Sequence, residues 1–196
     1  MRGEFMSETK RDYHLRPIEE RDLRLVLDWR NSHKVHSMML TDHEITWEEH
    51  CAWFKRMELQ PLKRNFIFAY QEEPIGYIGY TEYNEENHTC SSGAYLGNAA
   101  DLPPDAALCL FYVSVDYPFR YLGMLQLNTD VFADNSRALK LDTLLGYDIV
   151  RAQDHMVMKN GQERLAHRLV MTKDKWLTQK GKVAKYFPFL NDFVYV

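Results

Sequence analysis

Apolar and polar positions along the chain switch several times between a two-residue and a helical period, and the switches mark out its elements. Residues 13–18 form a short strand, after which the acids Glu19, Glu20 and Asp22 favour a helix start. Leu23, Val26, Leu27 and Trp29 then recur at helical spacing. Thr46-Trp47-Glu48-Glu49 is a capping box, in which the threonine hydroxyl accepts from the third-position amide while Glu49 reaches back; a second helix is expected over residues 46–59. Asn65-Phe66-Ile67-Phe68-Ala69-Tyr70 and Ile75-Gly76-Tyr77-Ile78-Gly79-Tyr80, separated by Gln71-Glu72-Glu73-Pro74, read as strand, turn, strand. A polar loop over residues 84–89 leads to a short strand over 91–97. Pro103-Pro104 open an apolar segment ending near Leu122, expected to be helical because proline fits a first turn. Residues 125–132 alternate as a strand, Asp134-Asn135-Ser136 cap a helix ending at Gly146, and Tyr147 returns the chain to strand. Asn160-Gly161 is a hairpin signal with a strand on either side, and a last helix starts near Lys173.

With 196 residues and no internal repeat, low-complexity tract or long linker, the chain is expected to form a single domain over residues 13–196. Residues 1–5 precede a second methionine, Met6, and read as a cloning remnant. The net charge is −4 and the two signs are interspersed, which leaves no basic stripe for nucleic acid. Cys51, Cys90 and Cys109 are odd in number and far apart, so neither zinc nor a redox pair is implied, no metal is expected, and a reducing cytoplasm fits. The most apolar run, residues 106–115, is about half of the ~20 residues a membrane-spanning helix requires, and the charged start lacks a secretory apolar region. A soluble cytoplasmic protein is expected.

The stretch Tyr117-Pro118-Phe119, then residues 125–141 with Asp134-Asn135-Ser136-Arg137-Ala138-Leu139-Lys140-Leu141, then Leu145-Gly146-Tyr147, resembles the second half of a GNAT domain. In that superfamily a strand followed by N-x-x-A-L-x-L-Y-x-x-x-G-F lines the acyl-CoA cleft. Leu15-Arg16-Pro17, Asp22-Leu23, Trp29-Arg30-Asn31, Val35, Met38-Met39, Thr46-Trp47-Glu48-Glu49-His50 and Trp53-Phe54 narrow the match. They are similar to N-acyltransferases of bacterial surface-sugar pathways, of the pseudaminic-acid type that acetylates a UDP-linked amino sugar. Together the two resemblances cover most of residues 15–171.

The resemblance implies an α+β (α/β) fold: a single GNAT domain whose mixed, mostly antiparallel sheet of six to seven strands is flanked by helices and split between strands 4 and 5. Acyl-CoA, acetyl or larger, is the implied co-substrate, and a UDP- or dTDP-linked amino sugar the acceptor. Tyr95, Leu96 and Gly97 would lie at the splay, Asn135 would reach the pantetheine and Ala138 would pack beneath it. Arg30, Met39, His50, Trp53 and Thr81 match positions that hold the sugar nucleotide. Plainer roles compete: Arg30 as a helix C-terminal charge, His50 and Trp53 as core residues, Asn135 as a helix cap.

The sequence also departs from the family. Where a glycine-rich loop usually cradles pyrophosphate, this chain has Leu102-Pro103-Pro104-Asp105-Ala106-Ala107, with two amides removed and a negative charge added. Ala106 and Ala107 keep the equivalent cofactor positions, and an acyl carrier protein, presenting only a pantetheine phosphate, becomes an alternative donor. Asp142 stands where a tyrosine commonly protonates the leaving thiolate, and Gly79 where sugar-acylating relatives place a serine. His50 and Glu82, acting through water, are the candidate bases. Two alternative functions remain: acetylation of a protein N-terminus, as in the ribosomal-protein type, and a catalytically degenerate binding protein. Finally, Tyr186-Phe187-Pro188-Phe189-Leu190 and Phe193-Val194-Tyr195-Val196 are too aromatic for a solvated tail, which should pack on its own domain or across a homodimer.

Overall fold

The computed structural model describes residues 13–60, 64–97, 102–193 and 195; the remnant expected at residues 1–5 lies outside them. β1 (Tyr13–Pro17) leads through a 3-10 turn (Glu20–Asp22) into α1 (Leu23–Asn31), the short α2 (His33–His36) and α3 (Trp47–Glu58). β2 (Asn65–Tyr70), β3 (Glu73–Asn84) and β4 (Thr89–Leu96) form a meander, followed by α4 (Ala106–Tyr121), β5 (Gln126–Phe132) and α5 (Ser136–Leu145). The chain ends with β6 (Asp148–Ile149), a 3-10 turn (Arg151–Gln153), the hairpin β7 (His155–Lys159) and β8 (Gln162–Thr172), α6 (Lys173–Ala184) and a last 3-10 turn (Pro188–Asp192).

The expected local signals operate. Thr46 and Glu49 close the capping box of α3 in both directions. Gly146 ends α5 at φ 103°, and Asn160 and Gly161, at φ 52° and 73°, turn the β7–β8 hairpin. Pro118 sits inside α4 without an N–H for the Ser114 carbonyl, which instead accepts the Tyr80 hydroxyl at 2.9 Å. α4 itself starts later than expected, at Ala106, because Pro103 and Pro104 precede its cap, Asp105.

The sheet has eight strands rather than six to seven, in the order β1-β2-β3-β4-β5-β8-β6 with β7 also on β8. The extra strand arises because the turn Arg151–Gln153 divides what reads as one strand after Tyr147. Every pairing is antiparallel except β4–β5, and that parallel pairing is short: it runs only from Thr89↔Gln126 to Ser91↔Asn128. β4 stays paired with β3 as far as Leu96, and β5 with β8 as far as Phe132. Beyond Ser91 and Asn128 the two strands therefore part, and a V opens in the sheet.

α4, α5 and α6 cover one face over the larger core, centred on Phe66, Ile78, Leu110, Leu127, Leu169 and Trp176. α1 and α3 cover the other, packing Leu23, Val26, Trp29 and Phe54 against Ile67 of β2. The aromatic tail docks on its own domain: Leu190 and Phe193 are buried in the larger core, Tyr195 bridges to Leu15, and its hydroxyl donates to Asp116 at 3.0 Å. Among the described residues no helix is long and apolar enough to cross a membrane.

Candidate active site

Side chains of a strand alternate between faces, so the register Tyr77↔Tyr95, Gly79↔Gly93, Thr81↔Ser91 puts all six residues on the α1/α3 face beside the mouth of the V. Tyr77 stacks on Tyr95 with ring centroids 5.2 Å apart, Trp53 meets Tyr77 edge-on at 6.4 Å, and His50 stacks on Trp53 at 5.0 Å. Beside this aromatic wall, the facing Gly79 and Gly93 leave bare backbone. A Cβ on Gly93 would meet nothing within 4 Å, whereas one on Gly79 would lie 2.6 Å from the Tyr77 hydroxyl, which crosses it to donate to Asn65 Oδ1. The floor is thus open at Gly93 and walled at Gly79.

Backbone groups alternate in the same way. The Gly97 N–H donates to Ile75 O at 2.9 Å, so residues 91, 93, 95 and 97 direct their amides toward β3, and Ser92, Ala94 and Leu96 direct theirs into the V. The Ser91↔Asn128 pairing takes up the Ser92 amide, and beyond it β5 has left, so the successive cleft-facing amides of Ala94 and Leu96 lack a strand partner. Of the three residues expected at the splay, Leu96 offers such a group and Tyr95 offers its ring. Gly97 offers neither: its amide is committed, its carbonyl accepts Lys34 Nζ at 3.0 Å, and any Cβ there would collide with the Trp29 ring.

Arg30 reaches this face from the end of α1. Burial lowers its pKa, the phenols of Tyr95 and Tyr77 oppose that, and its buried Nη1 has no hydrogen-bond partner. Burial raises the pKa of Tyr77 and Tyr95 well above the ordinary phenol range, so both remain neutral donors. Across from Arg30 the β7–β8 tip grips the segment after α2. Lys159, with a side chain only 1% exposed, donates to Thr41 O at 2.5 Å and lies 3.9 Å from Asp42. Asn160 N donates to Asp42 at 2.7 Å. Arg164, stacked 3.8 Å over Phe132, donates to Ser37 O at 2.7 Å and Asp134 at 2.6 Å. The gripped segment carries Met39, which is half-buried.

Three expected positions lie away from the floor. His50 is 5% exposed between α1 and α3, burial lowers its pKa, and two aromatic rings separate it from Tyr95; it sits as a packed residue and not as an accessible base. Asp142 is buried in α5, and desolvation pushes its carboxyl up to about 7. Ala106 is fully buried with its amide on Pro103 O at 3.0 Å, which removes it as a phosphate donor; Ala107 is half-buried beside it. Asn135 caps α5 by accepting from Ala138 N at 3.3 Å, and Ala138 packs on the larger core. Thr81 and Glu82 are exposed at the far end of the floor, where Ser91 Oγ donates to Glu82 Oε2 at 2.5 Å. Tyr77, Asn65, Ser91, Lys159 and Arg164 escape a linear reading, although the strand alternation around Gly79 would have found Tyr77.

A sheet split between its fourth and fifth strands, with unpaired amides lining the split and an open floor beside it, is the architecture of an acyltransferase. The chain belongs to the acetyltransferase (GNAT) domain family, whose model matches residues 13–148. It is similar to acetyltransferase PseH from two strains of Campylobacter jejuni, each 28% identical over 124 residues, or 63% of this chain and 75% of the relative. Among solved structures it resembles spermidine N-acetyltransferase from Vibrio cholerae in complex with CoA and spermine, with TM-score 0.78 and 19% identity over 85% of this chain and 98% of that one. It also resembles yncA from Salmonella typhimurium, solved with its cofactor acetyl-CoA, with TM-score 0.68 and 14% identity over 84% of this chain and 95% of that one.

Proposed function

We propose that the chain moves an acyl group, acetyl or larger, from acyl-CoA to the amino group of a UDP- or dTDP-linked amino sugar. The observation that carries this reading is an aromatic wall, Trp53, Tyr77 and Tyr95, set beside the unpartnered Nη1 of Arg30. A guanidinium in that state attracts an anionic group such as a diphosphate, and the rings offer faces to a base or sugar. Lys159 and Arg164 are neutralised by Asp42 and Asp134, which leaves Arg30 as the cation beside the aromatic wall that is open to an anionic group.

The cleft-facing amides of Ala94 and Leu96 suit the amide-bearing pantetheine arm of acyl-CoA, with Asn135 and Ala138 bordering it at the start of α5. Acyl-CoA supplies the thioester; the same amides are the donors for the oxyanion that forms when the amine attacks its carbonyl. Met39, Thr81 and Trp53 border the acceptor, and Tyr95 separates its nucleotide side from the V.

The test is free-thiol release from acetyl-CoA and from a 3-hydroxyacyl-CoA, with UDP- and dTDP-linked amino sugars, spermidine and a peptide amine as separate acceptors. Release with a nucleotide amino sugar is expected. Release with spermidine or the peptide alone overturns the reading.

A further inference from the structure

Four non-glycine residues among those described have positive φ, and three of them, Gln71, His88 and Asn160, sit in turns. The fourth, Glu82 at φ 49°, sits inside β3, where the register to β4 breaks between Thr81 and Asn84. A left-handed glutamate within a strand is strained by about 1–3 kcal/mol, so the surrounding contacts must hold it. Regular alternation would send Glu82 to the face opposite Thr81. The bulge re-aims it, and its carboxylate instead accepts the hydroxyl of Ser91, which shares the face of Thr81.

Ser91 is also the last β4 residue paired to β5, so its hydroxyl stands at the apex of the V. The open floor at Gly93 lies two residues along the same strand face, about 7 Å away. The first cleft-facing amide free of β5, that of Ala94, adjoins Gly93 on the other side. An amine resting over Gly93 would therefore have an oxyanion donor on the next residue and, one water away, a hydroxyl backed by a carboxylate.

We infer that Ser91 and Glu82 form the proton-accepting pair of the acyl transfer. The inference rests on the proposed transfer to an amine but not on which amine is used. The neutral amine attacks the thioester carbon and forms the C–N bond. As the tetrahedral intermediate collapses, Ser91 Oγ takes a proton from that nitrogen through one bridging water while passing its own to Glu82 Oε2. The C–S bond breaks, the thiolate leaves, and the proton on Glu82 passes to solvent, from which the thiolate is protonated.

Glu82→Gln keeps the shape and an oxygen acceptor for Ser91 but cannot take the proton. It should lower kcat by about 10²-fold or more, while KM for acyl-CoA stays unchanged. Ser91→Ala should lower kcat comparably, and the double variant should add little to either loss. Glu82→Asn, which tolerates the left-handed backbone, controls for folding by its melting temperature. A Glu82→Gln enzyme with wild-type kcat overturns the pair. Turnover of a different amine that still depends on Glu82 overturns only the sugar-nucleotide acceptor, and an enzyme that acylates no amine overturns both.

Discussion

Asp142 shows how a single buried carboxyl links stability to pH. It is 4% exposed in α5, and desolvation pushes its carboxyl up to about 7, above the ~3.9 of a free aspartate. Between those two values the folded chain holds a proton that the unfolded chain has released, so folding is weakened as pH rises through the window. Above pH 7 the full cost, on the order of a few kcal/mol, is present. Asp142→Asn removes the titration, and in thermal melts it should be the more stable protein at pH 8, with the two curves converging toward pH 4. Identical melting temperatures for both proteins at pH 8 would show that the carboxyl is solvated.

At the scale of elements, the floor depends on the β7–β8 hairpin gripping the segment between α2 and α3. Lys159 is nearly inaccessible, yet its ammonium is satisfied by Thr41 O and neighboured by Asp42 and His36. Lys159→Met preserves length and apolar burial but removes the donors. Global stability should change little, whereas KM for the acceptor should rise roughly 5- to 20-fold, as expected for losing ~1–2 kcal/mol of charged hydrogen bonding that holds the Met39 segment. KM for acyl-CoA should not move; a parallel rise in both constants would show a general loosening. Such contacts mark where sequence reading stops. α3 and the β7–β8 turn were legible because Thr46 with Glu49, and Asn160 with Gly161, act within a few residues. The four-residue α2 is too short to show a period, and the turn Arg151–Gln153 splits a strand without a glycine or proline to announce it. The GNAT resemblance singled out Arg30 and Tyr95, which the fold sets on one face of the sheet, but the Lys159 grip closes over 118 residues. Strand parity places Glu82 on the wrong face until the bulge is seen.

On the scale of the whole molecule, the last turn of chain holds the two ends of the fold together. Asp116, buried at 2% exposure in α4, is surrounded by donors: Trp176 Nε1 at 2.8 Å, the Tyr195 hydroxyl at 3.0 Å, Arg120 at 3.1 Å and Lys180 at 3.6 Å. Those partners come from α4, α6 and the tail, and the same tail residue bridges to Leu15 of β1. Removing residues 189–196 exposes the pocket that Leu190 and Phe193 fill and deprives Asp116 of one donor. Burial of two such side chains is worth roughly 4 kcal/mol or more, which for a chain of this size corresponds to about 10 °C in Tm. Because the described tail packs on its own domain, light scattering should give the truncated protein the same association state as the full chain. A lower association state with an unchanged Tm would instead assign the tail to contacts between copies, and would mean that Asp116 is satisfied well enough by Trp176, Arg120 and Lys180 without it.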